Sequence, residues 1–421
     1  MTERLAVVLY DEVAGHLERA GTDVMPTFTY TDDYVGSGTI PLSLRLPIGS
    51  RTYPAGRVEP YLRGLLPENP QTLGQWADRL NTTADDIFGI LAEMGWDCPG
   101  AVQFCAPERL EELRNRGSQT HPVGEAEIAE RLRRLVDQPA TWSMPAEHWS
   151  LGGQQEKFAL TSIDGQWYEA RGSAATTHIV KPGIKALLHQ ALIEHVTMAA
   201  AAELAVDVAS SRMLRFEDQW AIVVERFDRV VDGAAVRRIH QEDFCQALGR
   251  LPAAKYESRG GPRLSDLVAL VRRQLTEPED DLLALADFAA VNLVAGAPDG
   301  HSKNISLLLD STGSRWIAPL YDLATGLSYD SKRVDRSVAL SIGGERVFSR
   351  IRRRQWEKMA RSLDVPAELM IGRVRVLAER YPDAFETALA AVAEVPGADE
   401  VAGRTLPQLR THCENVLRQL S

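Results

Sequence analysis

The stretch from Leu293 to Leu323 constrains this chain more than any other. Within it, Asp299-Gly300-His301-Ser302-Lys303-Asn304 sets an acid, an imidazole and an amide in an Asp-x-His-x-x-Asn spacing, and Asp322 follows eighteen positions after Asn304. The mostly apolar run Ile305 to Leu309 begins at once, so the hexapeptide reads as an exposed loop between a helix and a strand. Phosphoryl transfer needs a carboxylate to orient an incoming hydroxyl and accept its proton, an amide to ligand magnesium, and a second acid to reach the same metal. Asp299, Asn304 and Asp322 supply those groups. An Asp-Gly turn that caps a helix and opens a hairpin would use the same residues, so the hexapeptide alone does not decide.

A length of 421 residues is too great for one ordinary core and points to two or more domains. The formal net charge of −11 disfavours direct nucleic-acid binding, which needs a basic surface; DNA is left to a local patch or a basic partner. Cys98, Cys105, Cys245 and Cys413 show no paired spacing and are expected as buried small hydrophobes in a reducing, cytoplasmic compartment. No apolar run approaches the roughly 20 residues that span a bilayer, and Met1-Thr2-Glu3-Arg4 leads into a strand rather than a signal peptide, so no membrane partner is expected.

The chain opens with strand patterns at Leu5 to Tyr10, Val13 to Leu17 and Phe28 to Tyr30, with Tyr34 to Leu46 as a further strand-like piece. Tyr61 to Asn69 contains a helix stopped by Pro67, Asp85 to Met94 has a helical apolar face, and Pro99 to Phe104 closes the unit as a strand. The charged segment Glu108 to Gly124 is a plausible boundary. This predicts a β-rich unit over 1–107, a helical connector over 108–149, a nucleotide-binding region over 150–230, and an α-rich lobe over 231–421. In that last lobe His240 to Gly249 is expected to open a helix, with Glu242 and Asp243 at its positive end. Leu282 to Val294, Ile351 to Leu363 and Met370 to Val392 are helical by periodicity, and Trp316 to Tyr321 is a strand returning the chain to Asp322. Arg350, Arg352, Arg353, Arg354 and Lys358 form a basic run, read as a solvated helix face with phosphate or protein contact as the sharper alternative.

Upstream, Ser150-Leu151-Gly152-Gly153-Gln154-Gln155-Glu156-Lys157 lies before strand-forming Phe158-Ala159-Leu160. Paired glycines let backbone amides approach a polyphosphate, although a tight hairpin turn would look the same. His178-Ile179-Val180-Lys181 is a short strand whose lysine could grip nucleotide phosphates or stay solvated. Glu194, on the Ala-rich helix from Ala191 to Leu204, could position that lysine, with Glu203 as competitor. Ala221 to Arg229 reads as a strand entering a polar turn, either an adenine-binding hinge or an ion-pair cluster of Arg226, Asp228 and Arg229.

Taken in order, glycine loop, strand lysine, helix glutamate, Glu-Arg-Phe-Asp-Arg, Asp-x-His-x-x-Asn and Leu-Tyr-Asp resemble the HipA family of bacterial toxin serine/threonine kinases. Leu65-Leu66-Pro67-Glu68-Asn69 extends the likeness into the N-terminal unit. The resemblance implies an α+β, two-lobed protein-kinase-like fold with a β-rich N-terminal subdomain and an α-rich C-terminal lobe. It also implies ATP and Mg2+ as cofactors, a HipB-like antitoxin that carries operator DNA, and a protein substrate of the aminoacyl-tRNA synthetase class whose phosphorylation stops translation. Carried onto this sequence, Asp299 becomes the base, and Asn304 and Asp322 the magnesium ligands. Lys181, Lys157 and the amides of Leu151, Gly152, Gly153 and Gln154 become the phosphate grip. Glu225 and Phe227 offer backbone groups to adenine, His301 supports the loop by hydrogen bonding, and Lys303 neutralises charge on the transferring phosphoryl group. Ser150 becomes an autophosphorylated off-switch. A silent kinase-like corepressor acting with a DNA-binding antitoxin, and a lipid or small-molecule kinase, are the alternatives.

Overall fold

The computed structural model describes residues 2–22, 24–115, 120–137, 148–233 and 235–421. The chain starts with a five-stranded antiparallel sheet. Strands β1 (Glu3–Leu9), β2 (Glu12–Arg19), β3 (Thr27–Tyr30), β4 (Thr52–Tyr53) and β5 (Val102–Cys105) take the order β4-β3-β2-β1-β5. Side chains of β1 alternate between two apolar layers: Leu5, Val7 and Leu9 enter the main core, while Ala6 and Val8 join Trp96, Cys105 and Leu113 on the other side. Helices α1 (Asp32–Ser37), α2 (Ala55–Gly64), α3 (Pro70–Leu80) and α4 (Ile87–Met94) complete the unit. The strand expected over Tyr34 to Leu46 is absent. The Thr31 side chain accepts from Tyr34 N–H at 3.2 Å and starts α1 instead, and beyond it only a lone Ser43–Leu46 bridge is β-like.

Residues 108–149 are more than a helical connector. After the short helix α5 (Leu110–Arg114), β6 (Thr120–Pro122) forms the edge of a second sheet, and α6 (Glu125–Asp137) packs near its far side. That antiparallel sheet adds β7 (Phe158–Ile163), β8 (Gln166–Ala170), β9 (His178–Lys181), β10 (Ser211–Phe216) and β11 (Gln219–Glu225), in the order β10-β11-β9-β7-β8-β6. Helix α7 (Gln190–Glu203) is buried along nearly its whole length.

The rest is mainly helical. A hairpin of β12 (Arg229–Asp232) and β13 (Ala235–Arg238) leads to β14 (His240–Asp243) and the one-turn helix α8 (Phe244–Ala247). His240 to Asp243 was expected in the helix but pairs with Ser306–Leu309 as a strand. Asp243 still caps α8, in a reciprocal box with Gln246, so the capping signal lay one strand inside the expected element. Helices α9 (Leu264–Gln274) and α10 (Pro278–Val294) follow, then β15 (Ser306–Leu309), β16 (Arg315–Ile317), β17 (Ser337–Ile342) and β18 (Glu345–Val347). The end is α11 (Arg353–Leu363), α12 (Ala367–Ala390) and α13 (Ala398–Leu420), the last not anticipated from sequence. Arg350, Arg352, Arg354 and Lys358 of the basic run lie exposed around the start of α11, and Arg353 pairs with Glu357 and Glu368. All four cysteines are buried thiols.

The larger of two apolar clusters runs from Leu5 to Leu420 and joins the first sheet, the second sheet and the helical lobe. A buried ionic knot ties the first sheet to the second. Asp97 pairs with Arg226, Arg229 and Arg238 at 3.3, 2.9 and 2.7 Å, Asp228 also pairs with Arg226 and Arg229 at 2.8 and 2.9 Å, and the carbonyls of Cys98, Gly100 and Thr176 take further donors of these two arginines. Arg226, Asp228 and Arg229 therefore do structural work next to the hinge. Among the described residues no helix is long and apolar enough to cross a membrane.

Candidate active site

A cleft of about 280 Å³ opens where the second sheet meets the helical lobe, and every residue given a catalytic, nucleotide, metal or lysine-positioning role from sequence lines it, while Ser150 and the competing Glu203 do not. The end of β9 delivers Lys181 to its floor. Its ammonium bonds Glu194 Oε1 at 2.9 Å and also reaches Asp322 Oδ1. Glu203 is exposed on the same helix, so Glu194 is the partner. Burial works against the charge on Lys181, but Asp322 and Glu194 outweigh it and hold its pKa above the usual lysine value. Burial likewise opposes the Asp322 charge, and Lys181 with Lys157 overrides it, holding Asp322 well below the usual carboxylate range. Asp322 sits at φ +52°, a left-handed conformation uncommon for a residue other than glycine, with its carboxylate reaching Lys181 at the end of β9.

The loop after α10 carries Asp299 to Asn304. Asn304 Nδ2 donates to the Asp299 carbonyl at 2.9 Å and closes the loop on itself. Asp299 keeps 61% of its side-chain surface. That surface opens onto the cleft, where lost hydration raises its pKa. Its Oδ1 accepts the Tyr256 hydroxyl. Among the described residues His301 makes no side-chain hydrogen bond of the kind expected: its Nδ1 is buried without a partner there, and Nε2 lies 3.8 Å from Asp299. The ring packs edge-on against Tyr256 at 4.8 Å, and burial keeps it neutral by lowering its pKa to about 3. Lys303 is not free to serve a phosphoryl group. It bonds Asp243 at 2.9 Å and the Gly64 carbonyl at 3.2 Å, fastening the loop to α8 and to the end of α2.

Above this floor runs the glycine loop. A Cβ on Gly152 would stand 2.6 Å from the Gly64 carbonyl, and one on Gly153, whose φ is +106°, would stand 2.7 Å from Lys157 Nζ. The loop thus runs backbone-close between α2 and Lys157. The Gly153 carbonyl accepts from Glu68 N–H at 2.9 Å, and Asn69 Nδ2 donates to Glu156 at 2.6 Å, so Leu65 to Asn69 forms its bed. Lys157 is buried, and among the described residues its ammonium has neither an ion-pair nor a hydrogen-bond partner. Burial, then Lys181, lowers its pKa to about 8. Ser150 lies outside the cleft, fully buried, its hydroxyl donating to the Leu65 carbonyl at 2.8 Å.

At the hinge, Glu225 N–H is already bonded to the Ser210 carbonyl at 2.8 Å, so only its carbonyl could serve a ligand as expected. Phe227 lines the cleft, its ring 5.3 Å from that of Tyr321. Sequence reasoning gave no role to Glu68, Lys255 or Tyr256, and read Asp243 only as a helix cap. Lys255 bonds Glu68 at 2.9 Å, and Glu68 Oε1, buried without a hydrogen-bond partner among the described residues, stands 3.9 Å from Lys303. Only the Leu65 to Asn69 motif hinted at any of them.

The lining suits a nucleotide and a divalent ion. An unpartnered buried ammonium beside glycine-loop amides is what a phosphate would satisfy. Among the described residues no cluster of three acidic, histidine or cysteine ligands occurs. Magnesium needs none, because it keeps waters and substrate phosphates and takes only one or two protein oxygens. The anionic Asp322 and the amide of Asn304, both lining the cleft, fit that donor set.

Comparison with known proteins agrees. Residues 149–385 match the HipA-like C-terminal domain family and residues 5–105 the HipA N-terminal domain family. The putative kinase Y4mE of Sinorhizobium fredii is 34% identical over 390 residues, covering 90% of this chain and 92% of that protein. The serine/threonine-protein kinase toxin HipA of Shewanella oneidensis is 28% identical over 442 residues, covering 99% and 96%. A solved complex of S. oneidensis HipA with HipB and its operator DNA superposes with a TM-score of 0.84 at 27% identity, over 98% of this chain and 97% of that one. With the sheet-rich and helical lobes meeting at a lysine–glutamate–aspartate cleft, these matches show that the chain belongs to the HipA family of kinase toxins.

Proposed function

We propose that the chain transfers the γ-phosphoryl group of ATP to a serine or threonine of a protein substrate, an aminoacyl-tRNA synthetase, and thereby inhibits translation and arrests growth. The observation that carries the reading is Lys181 held between Glu194 and Asp322, in one cleft with Asp299 and the unpartnered Lys157. In the reaction, the acceptor hydroxyl gives its proton to Asp299 as its oxygen bonds to the γ-phosphorus. The bond from that phosphorus to the β–γ bridging oxygen breaks, and ADP leaves. Lys181 and Lys157 grip the phosphates under the amides of Leu151 to Gln154, while the Glu225 carbonyl and the Phe227 backbone face adenine. Asn304 and Asp322 would hold magnesium, which neutralises phosphate charge when bound. Lys303 and His301 keep the loop in shape. In this scheme residues 1–107 form the N-terminal unit, 150–230 the nucleotide region, to which β6 and α6 from 108–149 also belong, and 231–421 the catalytic lobe.

Ser150 is the proposed off-switch. Its hydroxyl lies against Leu65 in a dry site, and a phosphate there would bring nearly two negative charges into a pocket that cannot hydrate them. The loop would have to leave. The S. oneidensis complex supports a HipB-like antitoxin as partner, with operator DNA reached mainly through it, and the cytoplasm is the compartment where such partners meet.

Asp299→Ala and Asp322→Ala are expected to abolish transfer of labelled phosphate from Mg-ATP while leaving circular dichroism unchanged. Wild-type transfer by either variant would sink the assignment. Mass spectrometry after incubation with Mg-ATP and a cell lysate reads Ser150 and the phosphorylated target together; nucleotide binding with no phosphate on any protein would favour a silent corepressor.

A further inference from the structure

Tyr256 stands next to the reacting groups without belonging to any motif. Its segment is stitched down on both sides. Before it, the Ser302 hydroxyl of the Asp299–Asn304 loop donates to the Lys255 carbonyl at 2.9 Å, and Lys255 Nζ bonds Glu68 at 2.9 Å. After it, the Glu257 carboxylate takes the Ser341 N–H and hydroxyl at 2.6 and 2.8 Å. The Tyr256 carbonyl accepts from Arg259 and Gly261 N–H, each at 3.0 Å, and a Cβ on Gly261 would stand 2.7 Å from that oxygen. The ring has little freedom either, with His301 edge-on at 4.8 Å and the Arg259 guanidinium over its face at 5.4 Å. What this framing delivers is one hydroxyl, donated to Asp299 Oδ1. Oδ2 has no hydrogen-bond partner among the described residues.

We infer that Tyr256 is a positioning residue for the reaction: its phenol occupies one oxygen of Asp299 and fixes the carboxylate so that the other faces the acceptor hydroxyl. This rests on the reading of Asp299 as the base. A carboxylate with this much open surface would otherwise rotate freely about χ2. A fixed donor removes that freedom before the acceptor arrives.

The test is Tyr256→Phe in the full chain, which keeps the ring contacts and removes only the hydroxyl. Phosphate transfer from Mg-ATP to dephosphorylated casein is measured over a range of ATP concentrations beside wild type and Asp299→Ala. The expected result is a kcat lower by about tenfold at an unchanged KM for ATP. An unchanged kcat overturns the inference, whether or not the KM for ATP rises. If Asp299→Ala retains wild-type activity, the fault lies in the assignment of the base. If it is dead while Tyr256→Phe matches wild type, the fault lies with Tyr256 alone.

Discussion

Lys157 shows how far a single side chain can be read. Its ammonium is buried without a partner, and its pKa falls to about 8 through desolvation and the neighbouring Lys181. Below that value it is charged and can bind phosphate; above it the empty site loses its cation. The KM for ATP should therefore rise by about tenfold between pH 7 and 9, and Lys157→Met should bind weakly with no such rise. A flat wild-type profile would remove Lys157 from the phosphate site. The sequence made Lys157, Lys181 and Glu194 legible because phosphate chemistry restricts both residue type and order along the chain. It could not reveal Tyr256, Lys255 or Glu68 as neighbours of the loop, because no short spacing links residue 68 or 256 to residue 299. Nor could spacing show that Lys303 spends its charge on Asp243.

At the scale of elements, periodicity found what burial enforces. Strands β1, β7 and β9 and helices α7 and α10 are apolar over most of their length because neighbours cover them on more than one side. The errors have local causes. Thr31 caps a helix where Tyr34 onward looked extended, and the Asp243 cap hid a preceding strand that only pairing with residues 306–309 creates. What fixes the two sheets to each other is the Asp97 knot, invisible as a motif because its three arginines come from β13 and from either side of a turn. Removing the acid leaves Arg226, Arg229 and Arg238 buried around Asp228 alone, so Asp97→Ala should cost about 3–5 kcal/mol in urea unfolding. Burial raises the Asp97 pKa, but the three guanidinium groups prevail and hold it far below the usual value. Its contribution is thus complete above the unfolded value of about 3.9 and is lost as pH falls towards the folded one. Near-wild-type stability of Asp97→Ala at pH 7 would show that the knot does not hold the sheets.

For the whole molecule, the shared main core means that the N-terminal unit and the catalytic lobe are stabilised together, and some of the contacts between them are ionisable. Glu242 on β14 is the clearest case. It is fully buried, accepting the Ser43 hydroxyl at 2.7 Å and Leu44 N–H at 2.8 Å from the N-terminal unit. Desolvation raises its pKa to about 7 against the two hydrogen bonds, which favour the charged form. The folded chain therefore holds a proton that the unfolded chain releases near pH 4.5. The stability this provides is complete below pH 4.5 and is lost as pH rises through about 7. Glu242→Gln keeps an acceptor for Leu44 and gives Ser43 a donor without any charge to bury. Denaturant midpoints should then fall between pH 5 and 8 for wild type and fall less for the variant, leaving it more stable at pH 8 by about 2 kcal/mol. Parallel pH dependence in the two proteins would show that Glu242 does not carry a proton across this junction.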